Sequence, residues 1–250
     1  MPSRADDQVA ARPPVVPDPA AVERHTPLPR AALAEFVGTA MLLAAIVGSG
    51  IMAETRSPAD AGLQLLEAAV ATGAVLAAII VALGPVSGAH LNPCVTLADR
   101  VLGRMRWPTA AAYVTAQAGG AVAGVVVANV MFDGPAVSIS TTSRSGVGQW
   151  VGEVVATYGL VLIIFSLVRA RASLAAIAVA VGGYIAGAYV FTSSTSFANP
   201  AITLARTLTD TFAGIAPADV AAFVAAQLLG TLLAVGTVTL LHPPPPNNPA

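Results

Sequence analysis

Apolar residues in this chain come in long, nearly unbroken runs rather than in amphipathic stripes. Such runs cover about 30–53, 63–84, 109–132, 148–168, 173–192 and 217–241. Each is close to the roughly 20 residues that a helix needs to cross a bilayer, so the pattern predicts six membrane spans. Two further segments, about 93–102 and 200–210, are too short to span. Each follows a polar loop, 85–92 and 193–199, and each opens on Asn-Pro. Proline is tolerated in the first turn of a helix, where its missing N–H has no partner to lose, and asparagine is a good N-cap. Pro93 and Pro200 are therefore expected to open two half-helices, capped by Asn92 and Asn199. Irregular backbone at membrane depth survives only when buried in protein or lining a wet cavity. Two half-helices entering from opposite sides, N-termini meeting at the centre, satisfy that rule. Their positive dipole ends would then sit beside two asparagine amides.

The two short segments are copies of each other. GAHLNPCVTLADR (Gly88–Arg100) and SFANPAITLARTL (Ser196–Leu208) match at Asn92/Asn199, Pro93/Pro200, Thr96/Thr203, Leu97/Leu204 and Ala98/Ala205. The repetition extends outward. AEFVGT at 34–39 echoes GEVVAT at 152–157, and YVTAQAGGAVAG at 113–124 echoes FVAAQLLGTLLA at 223–234. Glu35 thus pairs with Glu153, and Gln117 with Gln227. Each repeat holds three spans and one half-helix. Three is odd, so the second repeat enters the membrane from the opposite side, an architecture that places a site near the midplane between repeats.

Composition narrows the class further. The chain has 250 residues, 56% hydrophobic and 10% charged, with a mean hydropathy of +0.75. That is too apolar for a soluble domain. A net charge of −1 gives no reason to expect a nucleic-acid partner. The single cysteine, Cys94, and three scattered histidines exclude an intrachain disulfide framework and show no metal-ligand spacing. No nucleophile–base pair or phosphate loop is visible, so neither an enzyme nor a bound cofactor is expected. All twelve basic residues are arginines. With the N-terminus inside the cell, Arg4, Arg12, Arg24, Arg30, Arg100, Arg104, Arg106, Arg169 and Arg171 fall on the cytoplasmic side. Arg56, Arg144 and Arg206 fall outside, a positive-inside bias. Residues 1–28 hold six prolines, three arginines and four acids and read as a disordered tail, without the apolar core of a signal peptide. The expected organisation is a tail at 1–28, a membrane domain at 29–242 with repeats 30–132 and 148–241, and a Pro-rich tail at 243–250.

The polar residues inside the spans admit two readings each. Glu35 and Glu153 are proton carriers or braces that accept from backbone N–H groups of the half-helix loops, which would otherwise go unpaired; the brace is favoured. His90 is a loop brace rather than a pH gate. Cys94 packs as a small hydrophobe rather than ligating a passing solute. Gln117 and Gln227 are expected to bond between helices.

With these residues in view, the chain resembles the aquaporin (major intrinsic protein) family over about 30–241. The resemblance rests on six spans, a glutamate in the first and fourth, GAHLNP in one loop and ANPA in the other. It implies an all-α membrane protein with two re-entrant half-helices, assembled in lipid as a homotetramer. Each subunit would conduct water or small neutral solutes passively through a cell membrane, the inner one in bacteria, with both termini cytoplasmic. Asn92 and Asn199 would be the pore asparagines, with Pro93, Cys94, Pro200 and Ala201 completing the half-helix motifs. The first motif departs from the family in carrying Cys94 where alanine is usual. A larger departure is Ile202, which stands where an arginine usually follows the second motif. Counting family spacings from the asparagines puts the remaining selectivity-filter positions at Thr72, Gly187 and Ser196. A filter of Thr, Gly, Ser and Ile is small-sided and free of arginine, so a wide opening is expected, permissive for polyols. Within the family the loops are similar to those of bacterial aquaporins associated with arsenic resistance, which implies arsenite as As(OH)3, or a methylated arsenical, beside glycerol and water. A strict water channel and an ion-coupled carrier are the alternatives.

Overall fold

The computed structural model describes residues 26–242; the two expected tails lie outside it, apart from residues 26–28. Among the described residues every regular element is a helix. Six are long: α1 (Leu28–Arg56), α2 (Ala61–Ser87), α4 (Trp107–Met131), α5 (Val147–Arg169), α6 (Leu174–Phe191) and α8 (Val220–Leu241). Two are short: α3 (Pro93–Val101) and α7 (Pro200–Ala205). The expected second half-helix, 200–210, is shorter than read from sequence. It tightens into a 3-10 turn at Arg206–Leu208, and another 3-10 turn, Pro217–Asp219, leads into α8.

Local chemistry explains where the elements start and stop. Asp60 caps α2 by accepting from the Leu63 N–H at 2.9 Å, and Ser173 caps α6 through the Ala176 N–H at 3.2 Å. Gly88 closes α2 in the left-handed region, φ 86°, a conformation glycine adopts without the steric cost of a Cβ. Asn92 and Asn199 cap α3 and α7, with prolines at the first helical position.

The packing repeats as the sequence does. In each half, first span packs on third: α1 on α4 and α5 on α8. Where they cross, backbones touch. A Cβ on Gly120 would strike the Phe36 carbonyl, and one on the matching Gly230 would strike the Val154 carbonyl. Small residues at such crossings are what allow helices in lipid to approach closely. The halves meet through α2 and α6, where Gly73 and Gly182 face each other so closely that a Cβ on either would lie 2.6 or 2.5 Å from the other's carbonyl oxygen. The outward faces carry exposed Val, Leu and Met, among them Met41, Val179, Leu232 and Leu240, a surface suited to hydrocarbon.

Candidate functional site

The two loops that precede the half-helices adopt the same strained path. Ala89 and Leu91 in one, and Ser196 and Ala198 in the other, all have positive φ, between 47° and 52°. Relative to Asn92 and Asn199 these are matching positions. A non-glycine residue in that region costs of order 1 kcal/mol or more, so the surroundings must hold it.

Glu35 and Glu153 do so. Buried Glu35 accepts from the backbone N–H groups of His90 at 2.9 Å and Leu91 at 2.6 Å, and from the Ser87 hydroxyl at 2.6 Å. Buried Glu153 accepts from the N–H groups of Phe197 at 2.8 Å and Ala198 at 2.9 Å. Each carboxylate also receives a glutamine amide, Gln117 at 2.8 Å and Gln227 at 2.6 Å. The same amide nitrogens reach Thr96 at 3.0 Å and Thr203 at 2.8 Å, inside the half-helices. Each repeat thus ties first span, third span, loop and half-helix through one Glu–Gln–Thr set. Aromatic contacts repeat too: His90 meets Tyr113 edge-on at 5.5 Å, and Phe197 meets Phe223 at 5.2 Å. The His90 Nδ1 lies 3.2 Å from the Thr96 hydroxyl.

The asparagines cross between repeats. Asn92 Nδ2 donates to the Ala198 carbonyl at 2.7 Å and Asn199 Nδ2 to the Leu91 carbonyl at 2.8 Å. Their Oδ1 atoms accept from Cys94 N–H at 2.8 Å and Ala201 N–H at 3.0 Å. Each amide nitrogen has two protons, so one on each remains for a visitor. Both asparagines line one cavity that runs along the repeat interface. Its wall is largely apolar, with Leu42, Ile46, Leu76 and Ile80 from the first repeat and Leu160, Ile177 and Val181 from the second. In both half-helices the lining residues fall at the asparagine and three and seven positions later: Asn92, Val95, Asp99 and Asn199, Ile202, Arg206. Asp99 and Arg206 occupy matching ends. Pro93, Cys94, Pro200 and Ala201 are not on the lining; Cys94 is fully buried in packing.

Of the four filter positions counted from sequence, Thr72, Ser196 and Ile202 line the cavity near its Arg206 end and Gly187 does not. Gly187 faces outward, exposed, with nothing within 4 Å of where a Cβ would be. The cause is helix phase. Ile177, Val181, Ile185 and Tyr189 form the lining stripe of α6, and a residue midway between 185 and 189 is turned about 200° away from its neighbours on that stripe. Tyr189 fills the place instead, its hydroxyl accepting from Thr72 Oγ1 at 3.3 Å. An arginine is present as well: Arg206 is on the lining although Ile202 holds the usual position. Arg206 is buried, and its guanidinium, like that of any arginine in a protein, stays protonated.

Comparison with known proteins decides the family. The Major intrinsic protein family profile matches residues 23–175, and an aquaglyceroporin, AqpS of Rhizobium meliloti (strain 1021), is 47% identical over 217 residues, 87% of this chain and 92% of that protein. The chain belongs to the major intrinsic protein family. Aquaporin NIP1-4 of Oryza sativa subsp. japonica is 37% identical over 68% of the chain and 62% of its own length. The X-ray structure of the aquaglyceroporin from Plasmodium falciparum superposes with a TM-score of 0.67 at 20% identity, over 87% of this chain and 96% of that one, which supports the fold. Family membership and six helices long and apolar enough to cross a membrane make this major intrinsic protein an integral membrane protein of a channel family, with the fold expected from sequence.

Proposed function

We propose that the chain is a passive channel for water and for small neutral polyhydroxylated solutes: glycerol, and arsenite as As(OH)3 or a methylated arsenical. The observation that carries this reading is the single cavity on which Asn92 and Asn199 both lie, each amide keeping a proton unspent. An apolar wall with donors at intervals suits a solute that carries several hydroxyls and no charge. The name of the 47% identical relative, an aquaglyceroporin, supports the polyol. As(OH)3 shares glycerol's small size, neutrality and three hydroxyls. The unspent donors at the midplane, backed by two helix N-termini, disfavour cations. The protein is read as a homotetramer in the cell's inner (plasma) membrane, with both termini cytoplasmic. Arg104, Arg106, Arg169 and Arg171 then face the cytoplasm and Arg144 and Arg206 the exterior.

The test is stopped-flow light scattering on vesicles holding the purified protein, with osmotic gradients of glycerol or urea, and As(OH)3 uptake followed by elemental analysis. Glycerol and As(OH)3 permeabilities well above those of empty vesicles are expected, saturating only weakly and never exceeding equilibrium. Water passage without either solute would make it a strict water channel. Accumulation against a gradient would make it an ion-coupled carrier.

A further inference from the structure

The two half-helices end in opposite chemistry at matching positions. Asp99 and Arg206 both stand seven residues after their asparagine, and both line the cavity. Asp99 is neutralised, with Arg104 Nε 2.8 Å from its Oδ1. Arg206 has no carboxylate within ion-pair reach among the described residues. Its Nε donates to the Ala213 carbonyl, and its guanidinium carbon lies 3.4 Å from the centroid of the Phe197 ring. The side chain is therefore held on two counts, while among the described residues neither terminal nitrogen meets a protein acceptor.

Two other groups on the same lining also keep hydrogen-bonding capacity. Ser196, 3% exposed, lines the same cavity, and among the described residues its hydroxyl has no partner. The Tyr189 hydroxyl accepts from Thr72 and keeps its own proton to give. Arg144 approaches Phe197 too, at 5.0 Å, but its nitrogens are taken up by the carbonyls of Gly214 at 2.7 Å and Phe212 at 2.8 Å. It pins the covering loop and is absent from the lining. Glu67, the acid nearest Thr72 along α2, accepts from Ser57 and is likewise off the lining.

We propose that Arg206 is the specificity-determining cation of the outer constriction, set one helical turn beyond Ile202, and that with Ser196 and Tyr189 it forms a station for the hydroxyl oxygens of an uncharged solute. The opening is therefore wide at Ile202 and cationic at Arg206. The terminal nitrogens of the guanidinium replace water around an acceptor oxygen, and the charge, with no carboxylate in ion-pair reach among the described residues, repels cations before they reach the asparagines. This inference rests on the passive-channel reading above.

The experiment compares wild type, Arg206→Met and Arg206→Lys in proteoliposomes. It reads water and glycerol permeability by stopped flow and methylammonium leak by an internal pH dye. Detergent-solubilised melting temperature and elution volume report folding. Folded Arg206→Met is expected to pass water at near the wild-type rate and leak methylammonium at least about tenfold faster, since one elementary charge is removed from a poorly screened site. Arg206→Lys keeps the charge and loses the fork, so its leak stays at the wild-type level while its glycerol-to-water ratio falls roughly threefold. A folded Arg206→Met with wild-type leak and wild-type ratio overturns the proposal. If Arg206→Met does not fold, Arg206→Lys decides: an altered ratio supports the proposal, and an unchanged ratio or loss of folding in both variants assigns Arg206 to structure alone and overturns it. A wild-type protein that conducts neither water nor glycerol overturns the channel reading itself, a separate failure.

Discussion

Asn92 and Asn199 each donate an amide proton to the carbonyl of the residue immediately before the other, Ala198 and Leu91. The half-helix N-termini are thereby clasped to one another as well as capped, and neither loop can shift alone. Asn92→Asp tests the clasp. Aspartate keeps an oxygen for the Cys94 N–H, so α3 still starts, but it sets a carboxylate against the Ala198 carbonyl and cancels part of the positive midplane. We expect a loss of about 1–3 kcal/mol in stability, together with a proton leak above the wild-type level. Thermal melting and a vesicle pH dye measure the two; wild-type values for both would refute the role.

Glu153 accepts from two loop N–H groups and the Gln227 amide, and the Ser194 side chain also bonds to it. Glu153→Gln leaves one acceptor oxygen, whereas Glu153→Ala orphans these donors at about 1–3 kcal/mol each. Glu153→Gln is expected to melt above Glu153→Ala and to retain part of its glycerol flux. A proton-carrying role predicts no such order, with glutamine as inactive as alanine.

Gly187 and Tyr189 separate the two placements of the filter. Nothing lies within 4 Å of a Cβ at Gly187, so Gly187→Ala should leave water and glycerol flux unchanged, and it should raise helix stability by up to about 1 kcal/mol. Tyr189→Ala should widen the opening and raise glycerol permeability severalfold relative to water. If Gly187→Ala narrows selectivity while Tyr189→Ala does not, the count from Asn199 is right and the α6 stripe is not the pathway.

What the sequence revealed and what it hid follow from how far each feature depends on local chemistry. The spans are legible because the bilayer imposes one length on them. The half-helices are legible because Asn-Pro encodes a cap and a first turn in two residues. Glu35 and Glu153 stand out because a carboxylate in an apolar run needs donors, and their repeat partners supply the register. Gly187 was misplaced because a count from Asn199 crosses a loop whose length is free to vary, and an error of two residues turns a helical position to the far side. The signal was in the sequence as the four-residue spacing of Ile177, Val181, Ile185 and Tyr189. Arg206 is not legible from the family position alone, because it stands one helical turn beyond it. Its signal is the spacing of three and seven residues after Asn199, matched by Val95 and Asp99 after Asn92.

Ile202→Arg puts a guanidinium where the family usually has one, but here Arg206 already stands one turn away. Residues four apart on a helix have Cβ atoms about 5–6 Å apart. Two like charges at that spacing repel by about 3 kcal/mol at an effective dielectric near 20. The added side chain also narrows the cavity between Thr72, Ser196 and Tyr189. Water is the smaller permeant and should slow modestly, whereas glycerol and As(OH)3 should be hindered more. The expected result for Ile202→Arg is a lower solute-to-water permeability ratio together with a lower melting temperature. The repulsion makes a second demand: in Ile202→Arg/Arg206→Met the melting temperature should recover above that of Ile202→Arg while the ratio stays low, a non-additivity that a double-mutant cycle isolates. If Ile202 merely packed behind the wall, an unpaired buried charge would unfold both variants alike. A well-folded Ile202→Arg protein with a wild-type permeability ratio would remove this residue from the constriction altogether.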